Sequence, residues 1–306
     1  MSKTKLLFER SEKNKTMTIR EIDQLIEEVN SLKTLTQAFG EIATIKLKKI
    51  RTQVEKNRIF FGEIAQILRI VKSYGAQKGI SLQKPKQTVS LLLTSNERFY
   101  GGIDAEVIRY FIETTPKYPT DRIVIGQTGK EYLKIMNYFH QFESLNFKAD
   151  LPQDTELLQI GQMIKDYKQV VVFYPQIATI LIQKPNAVDI TQSSLNQPDR
   201  VEETADYTIF EPELEKILQF FDTQIEILLL DQTFFEAELA RTASRLMSMD
   251  QAQIQANKFI DTQKKIRAKI KQGVVNRQIL ENFSSMAALN NPETSDRSER
   301  IRVSDI

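Results

Sequence analysis

The sequence predicts an α/β fold with long helices: an antiparallel coiled coil of N- and C-terminal helices that carries an inserted small α/β (Rossmann-like) domain. Near both ends of the chain, apolar residues recur every three or four positions, which is the spacing of a helical seam. Between these ends, short apolar runs alternate with helix-like stretches. The 306 residues include only 10 glycines and 9 prolines, a composition that favours long helices over an all-β fold.

The first long helix is predicted over residues 18–84, after an N-terminal extension of residues 1–17. No proline interrupts this segment, and Gly75, Gly79 and Pro85 mark its end. Its apolar residues follow the spacing of a coiled-coil seam, and they include Ile22, Leu25, Val29, Leu32, Leu35, Phe39, Ile42, Ile45, Ile50 and Val54.

The middle segment, residues 85–207, is predicted to be the globular α/β domain. We expect strands at 89–93, 122–125, 169–174 and 178–183, and helices at 103–114, 129–142 and 155–167. Strands that alternate with helices are typical of a largely parallel sheet. Residues 193–207 are polar and acidic, and we expect a loop there.

The second long helix is predicted over residues 208–290, followed by a polar tail at 291–306. Pro212 suits an early helix position, and residues 213–291 contain no proline and a single glycine, Gly273. At about 1.5 Å per residue, such a helix would exceed roughly 100 Å. Because a helix of that length cannot bury its seam in one small core, we expect the two long helices to pair.

The residue types narrow the possible chemistry. The chain has no cysteine and one histidine, His140, which excludes disulfides, thiolate catalysis and metal sites built from cysteine or clustered histidines. No apolar run approaches the ~20 residues of a membrane-spanning helix, and no apolar signal segment is visible after Met1. We therefore expect a soluble chain.

The net charge of +2 is unevenly distributed. Residues 1–84 hold 17 Lys and Arg against 9 Asp and Glu, and the basic stretch 262–280 contains no acidic residue. Such tracts suit a nucleic acid, an anionic lipid or an acidic protein surface, and they are also found on plain solvated helix faces.

Two glycine-containing loops follow predicted strands, and neither has the pattern of a nucleotide site. Residues 94–102, TSNERFYGG, lack both G-x-G-x-x-G and G-x-x-x-x-G-K-[ST]. Residues 126–130, GQTGK, have the wrong spacing for a phosphate loop, and Glu131 follows where Ser or Thr would hold Mg²⁺. We therefore interpret these glycines as structural turns: Gly101, Gly102, Gly126 and Gly129. With no catalytic triad or paired-carboxylate site visible, the residues indicate an interaction or mechanical role without a cofactor or metal.

Over residues 18–290, and in order, the chain resembles the gamma subunit of F-type ATP synthases. Residues 36–49, TQAFGEIATIKLKK, resemble the family's TKAMxMVAASKMRRA, and residues 94–102 resemble its TSDRGLCGGxN. Residues 125–130 resemble its xGxKG turn. In the last helix, residues 210–212 resemble YEP, residues 243–249 resemble AARMxAM, and residues 271–289 resemble the closing RQ..IT.E..EI..GA.AL.

The chain also departs from the family pattern. Ala240 and Arg241 replace the family's SE, and Tyr100 replaces its Cys. Lys271 keeps the charge of the family's Arg without its bidentate fork, while Asn276 and Gln278 replace Thr and Glu. This divergence motivates one alternative, a rotor subunit of a specialised F1-like ATPase motor that is not used for ATP synthesis. An alternative of another class is a flavodoxin-like nucleotide- or cofactor-binding protein with helical arms.

The resemblance implies a non-catalytic subunit: the central stalk rotor shaft of an F-type proton-transporting ATP synthase. Such a shaft couples ion-driven rotation of the c-ring to conformational change in the catalytic beta subunits. The implied partners are the alpha and beta subunits (the alpha3beta3 hexamer), the epsilon subunit and the c-ring, with no nucleic acid and with membrane contact only through the c-ring. The implied location is peripheral, on the cytoplasmic face of the cell membrane if the source is prokaryotic.

The resemblance also assigns roles to residues. Contacts to the alpha–beta ring are expected from Lys46, Lys48, Lys49, Arg51, Arg245, Lys271, Gln272, Asn276 and Gln278. An apolar upper bearing is expected from Val274, Val275, Ile279, Leu280, Phe283 and Met286.

Overall fold

The computed structural model describes residues 17–77, 85–97, 99–179, 181–191 and 214–289. The predicted N-terminal extension up to residue 16, the acidic loop at 193–207, residues 210–212 and the tail at 291–306 lie outside the described residues. The chain divides into two compact units. The terminal unit comprises Met1–Thr36 with Gln251–Ile306, and the α/β unit comprises Gln37–Asp250.

Two long helices dominate the chain, as the apolar spacing predicts. Helix α1 spans Ile19–Gln77 and helix α5 spans Leu214–Leu289. A capping box opens α1, because the Thr18 backbone N donates to Glu21 Oε2 (2.9 Å) and the Glu21 N donates to Thr18 Oγ1 (3.3 Å). Reciprocal bonds of this kind satisfy amide groups that a helix start otherwise leaves without partners.

The two long helices pack together in an antiparallel arrangement. In the α/β unit, Ile50 and Val54 of α1 form an apolar cluster with Leu239 of α5, and Leu47 and Phe235 pack against it. Within the terminal unit, Arg267 of α5 pairs with Asp23 of α1 through two contacts of 2.6 and 3.1 Å. The predicted pairing of the helices is therefore confirmed.

The α/β unit contains a five-stranded sheet. Its strands are β1 (Lys86–Leu93), β2 (Asp121–Ile125), β3 (Glu143–Leu145), β4 (Tyr167–Thr179) and β5 (Ile182–Asp189). Their order is β3-β2-β1-β4-β5, with the first four parallel and β5 antiparallel to β4. Three shorter helices lie between the strands: α2 (Ile103–Thr114), α3 (Gln127–Ile135) and α4 (Asp154–Ile164).

Both faces of this sheet are buried, which explains why β1 is a continuous apolar run instead of an alternating one. On one face, Leu92 packs in a cluster with residues of α2 and α3, including Phe111 and Leu133. On the other face, Leu91 and Leu93 share a cluster with residues of α4 and α5. The α5 members of that cluster are Leu230, Phe234 and Ala237. Part of the C-terminal helix is therefore a component of the α/β core.

Three element boundaries differ from the sequence prediction. Helix α3 ends at Ile135 instead of residue 142, because Asn137 adopts a left-handed conformation (φ 47°) and the short edge strand β3 follows. The expected strand at 178–183 contains the end of β4 and the beginning of β5, so it spans a hairpin connection. Helix α4 ends at Ile164, and β4 begins earlier than expected, at Tyr167.

Among the described residues, no helix combines the length and the apolar character that crossing a membrane requires.

Among the described residues, Gly126 is a glycine that the fold does not allow to be replaced without strain. Its φ is +102°, and a Cβ at this position would lie 2.2 Å from the Thr94 carbonyl oxygen. We expect Gly126→Ala to lower the free energy of unfolding of the full chain by about 2–4 kcal/mol, measured by urea denaturation. Gly102→Ala is the matched control, since a Cβ there meets nothing within 4 Å, and its loss should stay below about 1 kcal/mol. Equal losses of unfolding free energy in the two variants would contradict the interpretation that the turn requires glycine at position 126.

Candidate functional site

The loop of residues 94–102 follows β1 at the carboxyl edge of the parallel strands, where α/β folds commonly bind ligands. Here the backbone N–H groups that begin α3 already form hydrogen bonds within the protein. The N–H groups of Gln127, Thr128 and Gly129 donate to Asn96 Oδ1 (2.9 Å), the Ser95 carbonyl (3.0 Å) and Thr94 Oγ1 (3.0 Å). A phosphate at this helix start would have to displace all three hydrogen bonds.

The second half of the same loop lies against α5. Ser244 Oγ donates to the Tyr100 carbonyl at 2.7 Å. Gly101 has a φ of +70°, and a Cβ on it would lie 2.5 Å from Ser248 Oγ. Glycine is therefore required at position 101 both for its backbone conformation and for the close approach of the loop to the helix.

Beneath this loop lies a charge cluster that comprises Lys46, Glu97, Tyr100, Asp104, Asp150, Glu238, Arg241 and Arg245, all within the α/β unit. The Arg245 guanidinium stacks 3.9 Å above the centre of the Tyr100 ring and donates to Glu97 Oε2 at 2.9 Å. The Tyr100 hydroxyl donates to Asp150 Oδ2 at 2.5 Å. Burial, together with the charges of Glu238 and Asp150, raises the pKa of Tyr100, so the phenol stays protonated and remains a donor.

Glu238 lies at the centre of the cluster, and its side chain is fully buried. Lys46 Nζ of α1 approaches its Oε1 at 2.5 Å, and Arg241 Nε approaches its Oε2 at 3.2 Å. The Tyr100 hydroxyl lies 3.4 Å from the same Oε1. One carboxylate of α5 therefore contacts α1, the next turn of its own helix and the 94–102 loop.

Arg241 is also fully buried. Burial alone would lower the pKa of its guanidinium, but the charges of Glu238, Asp104 and Asp150 raise it by more, so Arg241 is a cation in the interior. Burial raises the pKa of Asp104, and the opposing influences are the charge of Arg241 and a hydrogen bond from Ser95 Oγ.

The residues expected on α1 to contact a ring of partner subunits fall into two groups. Lys46 is engaged with Glu238 in the charge cluster. Lys48, Lys49 and Arg51 are exposed, and Arg51 pairs with Glu55 one turn away at 3.0 Å. Exposed pairs of this type contribute little stability, so these three cations are available to a partner surface.

The expected contact residues on α5 are divided in the same way. Arg245 is 95% buried within the cluster, because only 5% of its surface is exposed. Lys271, Gln272, Asn276 and Gln278 are exposed. The expected bearing residues keep between 45% and 69% of their surface exposed, and they are Val274, Val275, Ile279, Leu280, Phe283 and Met286.

Sequence reasoning missed the charge cluster as a site. Tyr100 and Arg241 were recognisable only as departures from a family pattern, and Asp150 and Glu238 carried no motif. One signal was present: Glu238 and Arg241 are three positions apart on a helix, so they lie on the same face and suit an ion pair.

The fold and the site define an α/β protein whose sheet packs on one of two long paired helices. The amides that begin its helix α3 donate to two side chains and one backbone carbonyl of the preceding loop. A family model described as ATP synthase matches residues 18–289. The chain therefore belongs to the ATP synthase family.

Gamma chains are among the relatives that the chain matches. The ATP synthase gamma chain of Clostridium novyi (strain NT) is 23% identical over 278 residues, covering 85% of this chain and 94% of the relative. The sodium ion specific ATP synthase gamma chain of Acetobacterium woodii is 22% identical, covering 89% of this chain and 99% of the relative.

Solved structures of mitochondrial ATP synthases share the fold. A chain of the Euglena gracilis OSCP/F1/c-ring structure matches with a TM-score of 0.61 at 15% identity, covering 89% of this chain and 94% of that one. A chain of the Tetrahymena thermophila central stalk/c-ring structure matches with a TM-score of 0.56 at 16% identity, covering 71% and 99%. At these identities the likeness concerns the fold alone.

Removing the buried cation should strongly destabilise the α/β unit. Arg241→Met leaves Glu238, Asp104 and Asp150 without their shared buried guanidinium, and we expect the free energy of unfolding to fall by about 3–5 kcal/mol in urea denaturation at neutral pH. Adding Glu238→Gln should recover part of that loss, with a coupling of about 0.5–3 kcal/mol. The exposed Arg51→Met is the control, with a change within about 0.5 kcal/mol. Strict additivity of the Arg241 and Glu238 substitutions would argue against a coupled cluster.

Asp231 of α5 provides a second test, through pH. Burial and, to a smaller extent, the charge of Asp154 raise the pKa of Asp231 to about 6 from 3.8. Because the folded state holds the proton more tightly than the unfolded state, stability falls as pH rises through this interval. We expect Asp231→Asn to raise the Tm above about pH 6 and to leave it unchanged below about pH 4. A pH-independent effect of Asp231→Asn would contradict the assignment.

Proposed function

We propose that the chain is the gamma subunit of an F-type proton-transporting ATP synthase: a non-catalytic central stalk rotor that couples c-ring rotation to conformational change in the catalytic beta subunits. The observation that carries this proposal is the apolar end of α5, considered together with the family match over residues 18–289. There, six large apolar side chains between Val274 and Met286 remain exposed. Apolar side chains grouped in this way on a water-soluble surface mark a site that another protein covers.

The proposed partners follow from the surfaces of the described residues. The alpha and beta subunits would enclose the apolar end of α5, with the exposed cations Lys48, Lys49 and Arg51 facing acidic side chains of the ring. The domain at 85–207 would be the foot, which meets the epsilon subunit and the c-ring. The helices at 18–84 and 208–290 would form the shaft. In a prokaryotic cell, this complex would lie on the cytoplasmic face of the cell membrane.

The hydrogen bonds at the start of α3 favour this role over a flavodoxin-like binding protein. A nucleotide or flavin phosphate binds helix-start amides that are free to donate. In this chain the amides of Gln127, Thr128 and Gly129 already donate to Asn96, Ser95 and Thr94. The sheet therefore serves better as a rigid body than as a cofactor cradle.

Co-expression with the cognate alpha and beta subunits tests the proposal. We expect a stable alpha–beta–gamma complex that hydrolyses ATP. Reconstitution with the membrane sector, including its c-ring, should then give ATP-driven ion pumping. Failure to form the complex would refute the rotor assignment. Assembly without any pumping would favour the specialised F1-like motor.

Within that complex, the exposed apolar end of α5 should matter for coupling. Leu280→Asp places a charge on a surface that a partner covers, and we expect fewer ions pumped per ATP hydrolysed, with a smaller loss of hydrolysis itself. Deletion of residues 274–306 should have the same effect in stronger form. Ile59→Asp is the matched control, because Ile59 of α1 and Leu280 are both 69% exposed and Ile59 lies outside the proposed bearing and foot. If the two aspartate variants pump equally well, α5 does not use this surface as a bearing.

A further inference from the structure

We propose that the charge cluster is the torque joint of this subunit, through which force passes between the sheet and the α1 and α5 segments of the α/β unit, with Tyr100 and Glu238 as its positioning residues. This inference rests on the proposed rotor function. It adds the place within the chain at which the force of rotation passes from the sheet to the helices.

The geometry of Glu238 is the first argument. Its fully buried carboxylate is approached by Lys46 of α1 at 2.5 Å, by Arg241 of α5 at 3.2 Å and by the Tyr100 hydroxyl at 3.4 Å. Tyr100 in turn donates to Asp150, which lies in the segment before α4. Both long helices and two connections of the sheet domain thus meet within one set of polar contacts.

The type of interaction is the second argument. Elsewhere, α5 meets the sheet mainly through apolar side chains such as Leu230 and Phe234, with a further hydrogen bond from Tyr174 of β4 to Glu236 at 3.1 Å. Apolar burial is non-directional, so it resists separation of two surfaces better than it resists sliding of one along the other. Charge-assisted hydrogen bonds depend on angle and distance, and they strengthen where water is excluded. A load tangential to the helix is therefore resisted mainly at the charge cluster.

The energetic cost of the cluster is the third argument. A fully buried Arg241 beside a fully buried Glu238 is an expensive way to gain stability, because desolvation can exceed the attraction between the charges. Apolar side chains of similar volume at these two positions of α5 would pack against the loop and α1 as well. What the ions add is a single defined geometry, which a joint under load requires.

The conformation of the 94–102 loop is the fourth argument. Phe99 has a left-handed backbone (φ 70°), and its ring packs against Phe39 of α1 with the ring centres 5.7 Å apart. The next residues, Tyr100 and Gly101, lie against Ser244 of α5. This strained loop thus contacts both long helices, and strain of this kind persists only where its surroundings hold it in place.

Tyr100→Phe tests the joint with little change of volume. It removes the hydroxyl that links Asp150 and Glu238 and leaves the ring beneath Arg245. The matched control is Tyr167→Phe, which removes a tyrosine–aspartate hydrogen bond of 2.7 Å to Asp121 inside the sheet domain. Each variant is assembled with alpha and beta subunits, and a probe is attached at Gln162→Cys, an exposed position in a chain that has no other cysteine.

The measurement is the angular fluctuation of the probe while the complex is paused, together with the number of ions pumped per ATP hydrolysed after reconstitution with the membrane sector. We expect Tyr100→Phe and Glu238→Gln to increase the variance of the angle at least two-fold over both the wild type and Tyr167→Phe, and to lower the pumping ratio. A merely structural contact would lower the Tm of the free chain without changing either quantity.

The outcomes separate the two proposals. If the wild-type chain does not assemble with alpha and beta subunits, the proposed function fails. If it assembles, and both Tyr100→Phe and Glu238→Gln keep the wild-type variance and pumping ratio, the joint is refuted while the rotor assignment stands. If the Glu238→Gln chain does not assemble, the result for Tyr100→Phe decides the test, because that substitution keeps the aromatic ring and nearly the same volume.

Discussion

The pairing of Arg241 with Glu238 is the constraint around which the α/β unit is arranged. A guanidinium without access to water is tolerated only where carboxylates surround it, and here Glu238, Asp104 and Asp150 supply that negative charge. Each carboxylate belongs to a different part of the unit: α5, the first turn of α2 and the connection before α4. Neutralising one buried charge therefore determines where three elements must lie.

Helix α5 has to satisfy two environments along one continuous segment. Residues 236–245 are buried on every side, because the sheet, the 94–102 loop and α1 each cover part of their surface. A helix covered all round is usually apolar throughout, yet this stretch contains Glu238, Arg241 and Thr242. Glu238 and Arg241 are compatible with burial because they pair with each other, and Glu238 also contacts Tyr100 of the loop. These contacts give the packing a defined register that an apolar surface would lack.

The sequence predicts the parts of this arrangement that depend on apolar burial and misses the part that depends on buried polar residues. Periodicity correctly indicated both long helices and the α/β insertion, since these depend on local spacing and on apolar burial. It predicted one continuous seam along α1, but only part of that seam is covered: Ile22, Ile50 and Val54 are buried, whereas Leu35 and Ile45 are 55% and 72% exposed. The charge cluster was not predictable, because polar residues at helical spacing usually face water, and only tertiary contacts show that Glu238 and Arg241 do not.

The two kinds of surface on α5 suit opposite mechanical demands in a rotor. Where the helix meets the sheet domain, the Arg245–Glu97 ion pair and the Tyr100–Glu238 contact have narrow angular tolerance and prevent one layer from slipping against the other. Between Val274 and Met286, six exposed side chains are apolar and carry no groups that form directional bonds, so they would give a surrounding ring no preferred angular position. A single helix can then be fixed at one place and free to turn at another, because the apolar side chains of the second surface form no directional bonds.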